Sequence, residues 1–194
     1  MPSRIECFWI EPVAEVEVDL RRYVCSSQEK QRECPASGFG YHNAWVIIGR
    51  ESKPLLAPGE HEQATPDDYV AHDDPRWPKL CACGYEFAPD DRWQVNRERL
   101  YARASGERWT LRHAPPGAMY DATWMTDHVK GPDGIALCVV LPPKGGFDYW
   151  MPDSPSTDGR PWTRTGKVPT VTCSPSILTK RYHGFLRDGF LEEC

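Results

Sequence analysis

At 194 residues, with 40% hydrophobic and 26% charged residues, the chain can bury one substantial core and does not have the composition of a disordered protein. Its formal net charge of −5 argues against a general attraction to nucleic acid or to anionic lipid, both of which need a basic surface or stripe. No basic cluster is longer than a pair such as Lys180-Arg181, so nucleic-acid and membrane partners are not expected.

Nineteen prolines and fifteen glycines cut the sequence into short pieces, which suits a β-dominated chain with many turns. The expected fold class is mainly β, a β-rich α+β arrangement of antiparallel sheets with short helices, long loops and a zinc knuckle. Length favours one domain over residues 1–194. Within it, two lobes are foreseen, a strand and cysteine-rich lobe at 1–95 and an antiparallel meander at 96–194. The opening residues lack a basic region followed by an apolar run, and no stretch of about eighteen apolar residues occurs, so the expectation is a cytoplasmic protein.

In chain order, Ile5, Phe8, Trp9 and Ile10 lead into Val16, Val18 and Leu20, which alternate with Glu15, Glu17 and Asp19. That period of two reads as a half-buried strand. Ala44 to Ile48, closed by Gly49, reads as a central strand. Residues from Arg50 to Pro78 form a polar, proline-rich excursion with one short helix, capped by Thr65 with Pro66 at its first position and Asp68 at the capping-box spacing. Asp90 to Arg103 fits either a short helix or a strand. Trp109 to Leu111, Ala136 to Leu141, Phe147 to Trp150 and Ser176 to Leu191 read as further strands, separated by turn signals at Pro115-Pro-Gly117, Gly131-Pro-Asp-Gly134, Pro142-Pro-Lys-Gly-Gly146 and Met151 to Pro161.

Eight cysteines in a reducing compartment point to metal ligands, buried thiols or chemistry rather than to disulfides. Cys81-Ala-Cys83-Gly84 supplies two thiolates one residue apart, followed by a glycine that lets the chain turn so that backbone amides face the sulfurs. Cys34 and His42 complete a tetrahedral set, with Cys25 as the alternative to His42. A structural zinc is therefore the expected cofactor; the competing reading is a group of unrelated thiols. No H-E-x-x-H set suggests a catalytic zinc.

A second constellation lies in the last twenty-two residues. Asp188-Gly189 between apolar-alternating arms is a type I′ hairpin signal, which sets Leu186 opposite Leu191, Phe185 opposite Glu192 and His183 opposite Cys194. If Thr179-Lys180 is also a two-residue turn, Ser176 lies opposite His183 with Cβ atoms about 4.5–5.5 Å apart, and Glu192 shares their face. A hydroxyl, an imidazole and a carboxylate are the types a serine nucleophile needs. The plainer reading makes Ser176 a strand residue, His183 a sheet histidine and Glu192 a solvated acid, with Cys194 either a second nucleophile or an inert thiol.

Pro169-Thr170, Ser174-Pro-Ser176-Ile177 and Tyr182-His183-Gly-Phe-Leu-Arg-Asp-Gly189 resemble the C-terminal motif of a small bacterial and phage domain family of unassigned function. Some of its members accompany bacterial ubiquitin-like conjugation operons. The resemblance covers the chain from about Ala136 onward and implies a serine peptidase acting on a peptide or isopeptide bond, with Ser176 as nucleophile and His183 as base. Gly40-Tyr-His-Asn43, Cys83-Gly-Tyr-Glu-Phe87 and Ala114-Pro-Pro-Gly-Ala-Met119 look like proteins of actinobacterial phages, which places the chain in a bacterial host cytoplasm or a virion. A protein substrate or partner is expected on either reading. The alternative function is a non-enzymatic phage accessory or virion-associated interaction protein stabilised by zinc.

Overall fold

The computed structural model describes residues 4–24, 34, 41–55, 70–124, 130–142, 149–154 and 162–194. They form twelve strands: β1 (Arg4–Glu6), β2 (Phe8–Tyr23), β3 (Asn43–Ser52), β4 (Arg92–Arg103), β5 (Arg108–Thr110), β6 (Ala118–Asp121), β7 (Leu137–Val140), β8 (Tyr149–Trp150), β9 (Thr163–Thr165), β10 (Thr172–Leu178), β11 (His183–Arg187) and β12 (Phe190–Glu193). The helical content among the described residues is one 3-10 turn at Leu111–His113. The helix foreseen from Thr65 lies outside the described residues, as does Cys25. The fold is thus β-rich, with antiparallel and mixed sheets, β2 running parallel to β6 through Phe8↔Ala118 and Trp9↔Met119.

The chain divides into two compact units. One comprises Met1–Val13, Leu55–His61 and Leu100–Cys194; the other comprises Ala14–Pro54 and Glu62–Arg99. The long strands β2 and β4 each begin in one unit and end in the other.

In the larger unit, β7 explains how a short apolar run becomes a doubly buried strand. It pairs with β6 and β8, and its four residues are all buried. Alternation along the pleat sends Leu137, Val139 and Leu141 into one apolar cluster with Met119, Ile177, Leu186 and Leu191, while Ala136, Cys138 and Val140 enter another with Ile10, Ala118 and Tyr120. A second sheet in this unit runs β1-β12-β11-β10-β9. Its β11–β12 hairpin has the expected register, Phe185↔Glu192 and Leu186↔Leu191. Asp188 and Gly189 take φ of 47° and 77°, the positive values that a type I′ turn demands of both central residues.

Arg164 is the inward residue of β9, and its side chain is 3% exposed. Its guanidinium donates from Nη1 to Asp133 Oδ2 at 3.0 Å, from Nη2 to Asp133 Oδ1 at 2.6 Å and from Nε to Asp153 Oδ1 at 3.1 Å. Burial tends to raise both carboxyls, but the Arg164 hydrogen bonds hold Asp133 below its usual range, whereas burial wins at Asp153, which is raised. Gly131 packs against the guanidinium so closely that a Cβ there would fall on Nη2.

In the smaller unit β2 lies between β3 and β4. Val16, Val18 and Leu20 are buried as the period-two pattern requires. The β2–β3 ladder runs from Glu15↔Ser52 to Tyr23↔Asn43. Within Asp90 to Arg103, the segment Arg92–Arg103 resolves as strand, not helix, and Asn96 donates to Asp19 Oδ1 at 3.0 Å while Arg97 bonds Glu51 Oε2 at 3.0 Å. The apolar run at Ala44 to Ile48 is a strand but not a central one. Among the described residues β3 pairs with β2 alone, and Trp45, Val46 and Ile47 are 43%, 37% and 51% exposed.

Replacing Arg164 with Met should leave the nearly buried Asp153 and the partly exposed Asp133 without their cation and cost about 2–3 kcal/mol. Urea denaturation at pH 7 measures it. The loss should shrink toward pH 4, where protonation neutralises the stranded acids. A variant within about 1 kcal/mol of wild type at pH 7 would show that the ion cluster contributes nothing net.

Candidate metal centre

Cys34, His42, Cys81 and Cys83 converge, and one ligand atom from each lies within 4.8 Å of all the others. Cys34 Sγ is 3.6 Å from Cys81 Sγ, and His42 Nδ1 is 3.1 Å from Cys83 Sγ. The sulfurs are too far apart for a disulfide, whose S–S bond is about 2.05 Å. They fit the edge of a tetrahedron with metal–sulfur bonds of about 2.3 Å. The donor set of three sulfurs and one imidazole could hold a metal ion. Among the described residues the fold brings together Cys34, His42, Cys81 and Cys83, as foreseen from the sequence; the alternative to His42, Cys25, lies outside them.

Local backbone explains how each ligand is aimed. The Cys81 amide donates to Tyr85 O at 2.9 Å and the Gly84 amide to Cys81 O at 2.9 Å, closing a tight loop in which Gly84 takes φ of 89°. Leu80 bridges Glu86 across its base. A side chain at Gly84 would meet no atom, so the glycine serves the backbone's positive φ alone. His42 sits at the start of β3, where the Val24 amide donates to its carbonyl at 3.0 Å, extending the β2–β3 ladder by one pair. Its ring stacks on Tyr85, centroids 4.2 Å apart and planes 9° apart. Tyr85 in turn donates to Asp91 Oδ2 at 3.3 Å, the same oxygen that accepts the Ala88 amide at 2.7 Å. Arg22 donates to Ala88 O and lies 3.7 Å over the Trp93 ring. Tyr85 and Asp91 orient the imidazole as outer partners of metal sites do, and residue spacing alone carries no signal for them.

Electrostatics separates Cys81 from the core thiols. Burial alone would raise Cys81, but amides of Cys83 and Asn43, the His42 side chain and Cys34 outweigh it and bring the thiol down to about 6. Burial instead pushes Cys7, Cys138 and Cys173 up to about 12, as befits inert core thiols.

The C-terminal constellation assembles differently. The turn falls at Lys180-Arg181, one residue later than Thr179-Lys180, because the Thr179 amide donates to Tyr182 O at 2.9 Å and the Thr179 hydroxyl accepts the amides of Arg181 and Tyr182 at 3.1 and 3.0 Å. His183 consequently faces Leu178, not Ser176. The register also shifts between Cys173 and Ile177, where Pro175 has no amide to give the ladder. The Ser176 carbonyl accepts the Trp162 indole at 3.4 Å. No hydrogen bond among the described residues joins the Ser176 hydroxyl to His183. Glu192 faces Phe185 and Arg4, and its carboxylate meets Arg4 at 3.4 Å and Arg187 at 3.6 Å. Cys194 donates its amide to His183 O at 3.1 Å.

No helix among the described residues is long and apolar enough to cross a membrane. No protein-family model matches the chain, and neither curated proteins nor solved structures provide a match.

With Leu178 in the place opposite His183, a fluorophosphonate probe should leave Ser176 unlabelled in intact protein. Intact mass spectrometry checks this, and stoichiometric labelling that disappears in His183→Ala would contradict the inference.

Proposed function

We propose that the chain is a non-enzymatic interaction module in which Cys34, His42, Cys81 and Cys83 hold a structural zinc ion. The observation that carries this reading is the mutual approach of four ligand atoms, within 4.8 Å, from three separate places in the sequence. A borderline-soft, tetrahedral ion suits three thiolates and one imidazole. Four protein ligands leave no open position for water or substrate, which separates a structural site from a catalytic one.

The supporting argument is the make-up of the neighbouring core. Among the described residues, the apolar cluster around the site consists of Val24, Cys34, Cys81 and Phe87, with Ala44 and Tyr85 packed against it, so two of its four described buried members are ligands. An ion tying three chain segments would add stability that so small a cluster cannot supply. The interaction role rests on β3, which begins one residue after His42 and exposes Trp45, Val46 and Ile47. By the period of two Trp45 and Ile47 share one face of β3, and exposed apolar residues gathered on a face favour a protein partner. The peptidase activity implied by the C-terminal resemblance needs the Ser176 hydroxyl at the His183 ring, and the hairpin register does not favour that approach.

Protein purified without chelator should contain close to one zinc per chain by elemental analysis. Free zinc at a thousand times its dissociation constant should stabilise the fold by about 4 kcal/mol; a strong chelator, or Cys81→Ser, should remove that gain in thermal unfolding. A melting midpoint indifferent to zinc, chelator and Cys81→Ser would refute the proposal.

A further inference from the structure

Three of the ligands differ from the fourth in one respect. Cys34, His42 and Cys81 are buried, whereas Cys83 lies between half-buried and exposed and is the ligand nearest to solvent, and its loop neighbours Ala82 and Gly84 are exposed. A small oxidant can therefore reach one sulfur of the cluster from solvent while the other two stand behind it. Those two, Cys34 and Cys81, are already 3.6 Å apart and belong to segments separated by 47 residues. Their sulfurs need to close by about 1.5 Å to reach disulfide length. The three remaining described thiols buried in apolar surroundings, Cys7, Cys138 and Cys173, lie in clusters that hold none of the four ligands.

We propose that the centre is a peroxide-sensitive thiol switch in which oxidation begins at Cys83 and ends in a Cys34–Cys81 disulfide, with release of the metal. This rests on the structural-zinc reading above. In the first step the Cys83 sulfur attacks one oxygen of a hydroperoxide; an S–O bond forms, the O–O bond breaks, and the second oxygen leaves as hydroxide or alkoxide. The Cys34 sulfur then attacks the sulfenic sulfur of Cys83, an S–S bond forms and hydroxide departs. Cys81, next to Cys34, attacks the Cys34 sulfur of that mixed disulfide and expels the Cys83 thiolate, leaving the Cys34–Cys81 bond. In sum two thiolates lose two electrons and the peroxide gains them. Two of the four ligands no longer bind, so the remaining imidazole and thiolate cannot retain the ion. A dithiol reductant reverses the change and restores the site to zinc.

The test begins with elemental analysis of zinc-loaded protein, because a chain that takes up no zinc at this stage overturns the structural-zinc reading before any peroxide is added. Zinc-loaded protein is then treated with hydrogen peroxide while a metallochromic indicator follows free zinc. The switch predicts release of nearly one equivalent per chain, a Cys34–Cys81 cross-link in tandem mass spectra, no oxidation of Cys7, Cys138 or Cys173, and recovery of binding after dithiothreitol and zinc. Retention of zinc under peroxide, or release accompanied only by sulfinic or sulfonic acids without a cross-link, overturns the switch and leaves the metal site standing. Cys83→His keeps four ligands while removing the exposed thiol, and should slow release about tenfold or more; an unchanged rate counts against attack at Cys83. Should that variant fail to bind zinc, dimedone trapping in the wild type gives the same answer: among the three thiols of the centre the first adduct must be on Cys83, and a first adduct on Cys34 or Cys81 overturns the order of events, whatever the exposed Cys194 does.

Discussion

Convergence of three thiols and one imidazole on a space less than 5 Å across is the constraint on which the smaller unit depends. Such a grouping is unfavourable unless something is gained. Thiolates repel one another, and among the described residues the apolar cluster that holds Cys34 and Cys81 has only Val24 and Phe87 as its other buried members. Two amides, from Cys83 and Asn43, point at the Cys81 sulfur, and a stacked tyrosine anchored to a carboxylate fixes the imidazole. These contacts favour a deprotonated Cys81 and an oriented imidazole, both of which a cation with a fixed tetrahedral preference requires. The strand that continues from the histidine then carries the exposed apolar residues, so ligand geometry and the surface of β3 are covalently linked.

The larger unit is stabilised by other means. Its β7 is a four-residue strand buried on both faces, and its two apolar clusters, populated alternately along β6 and β7, supply the area that the metal cluster lacks. Among the described residues this unit also holds a buried charge in compensated form, Arg164 with the nearly buried Asp153 and the partly exposed Asp133. The guanidinium fork matches the Asp133 carboxylate with two hydrogen bonds, a geometry lysine could not reproduce.

Much of this was legible in the residues. Period-two alternation marked β2, the Asp188-Gly189 turn set the last hairpin, and the C-x-C loop with Cys34 and His42 named the donor set. What was hidden depends on partners distant in sequence. Ala44 to Ile48 has the composition of a central strand, and nothing in that composition tells that its only described neighbour is β2. Asp90 to Arg103 mixes charged and apolar residues without a clear period, because its polar side chains are paired across the sheet with Asp19 and Glu51. The turn after β10 was misplaced by one residue because a threonine hydroxyl, not a glycine, organises it. That single step moved the residue opposite His183 from Ser176 to Leu178. The strand β9 is only three residues long, and its inward arginine reads as a surface residue until the two aspartates are seen.

The most direct measurement of the central claim is zinc K-edge X-ray absorption on protein purified without chelator. The account predicts a four-coordinate ion with three sulfur neighbours at about 2.3 Å and one nitrogen at about 2.0–2.1 Å, a pattern that becomes two sulfurs and two light atoms in Cys83→His. A spectrum dominated by oxygen neighbours, or by sulfur and nitrogen in any other ratio, would contradict it.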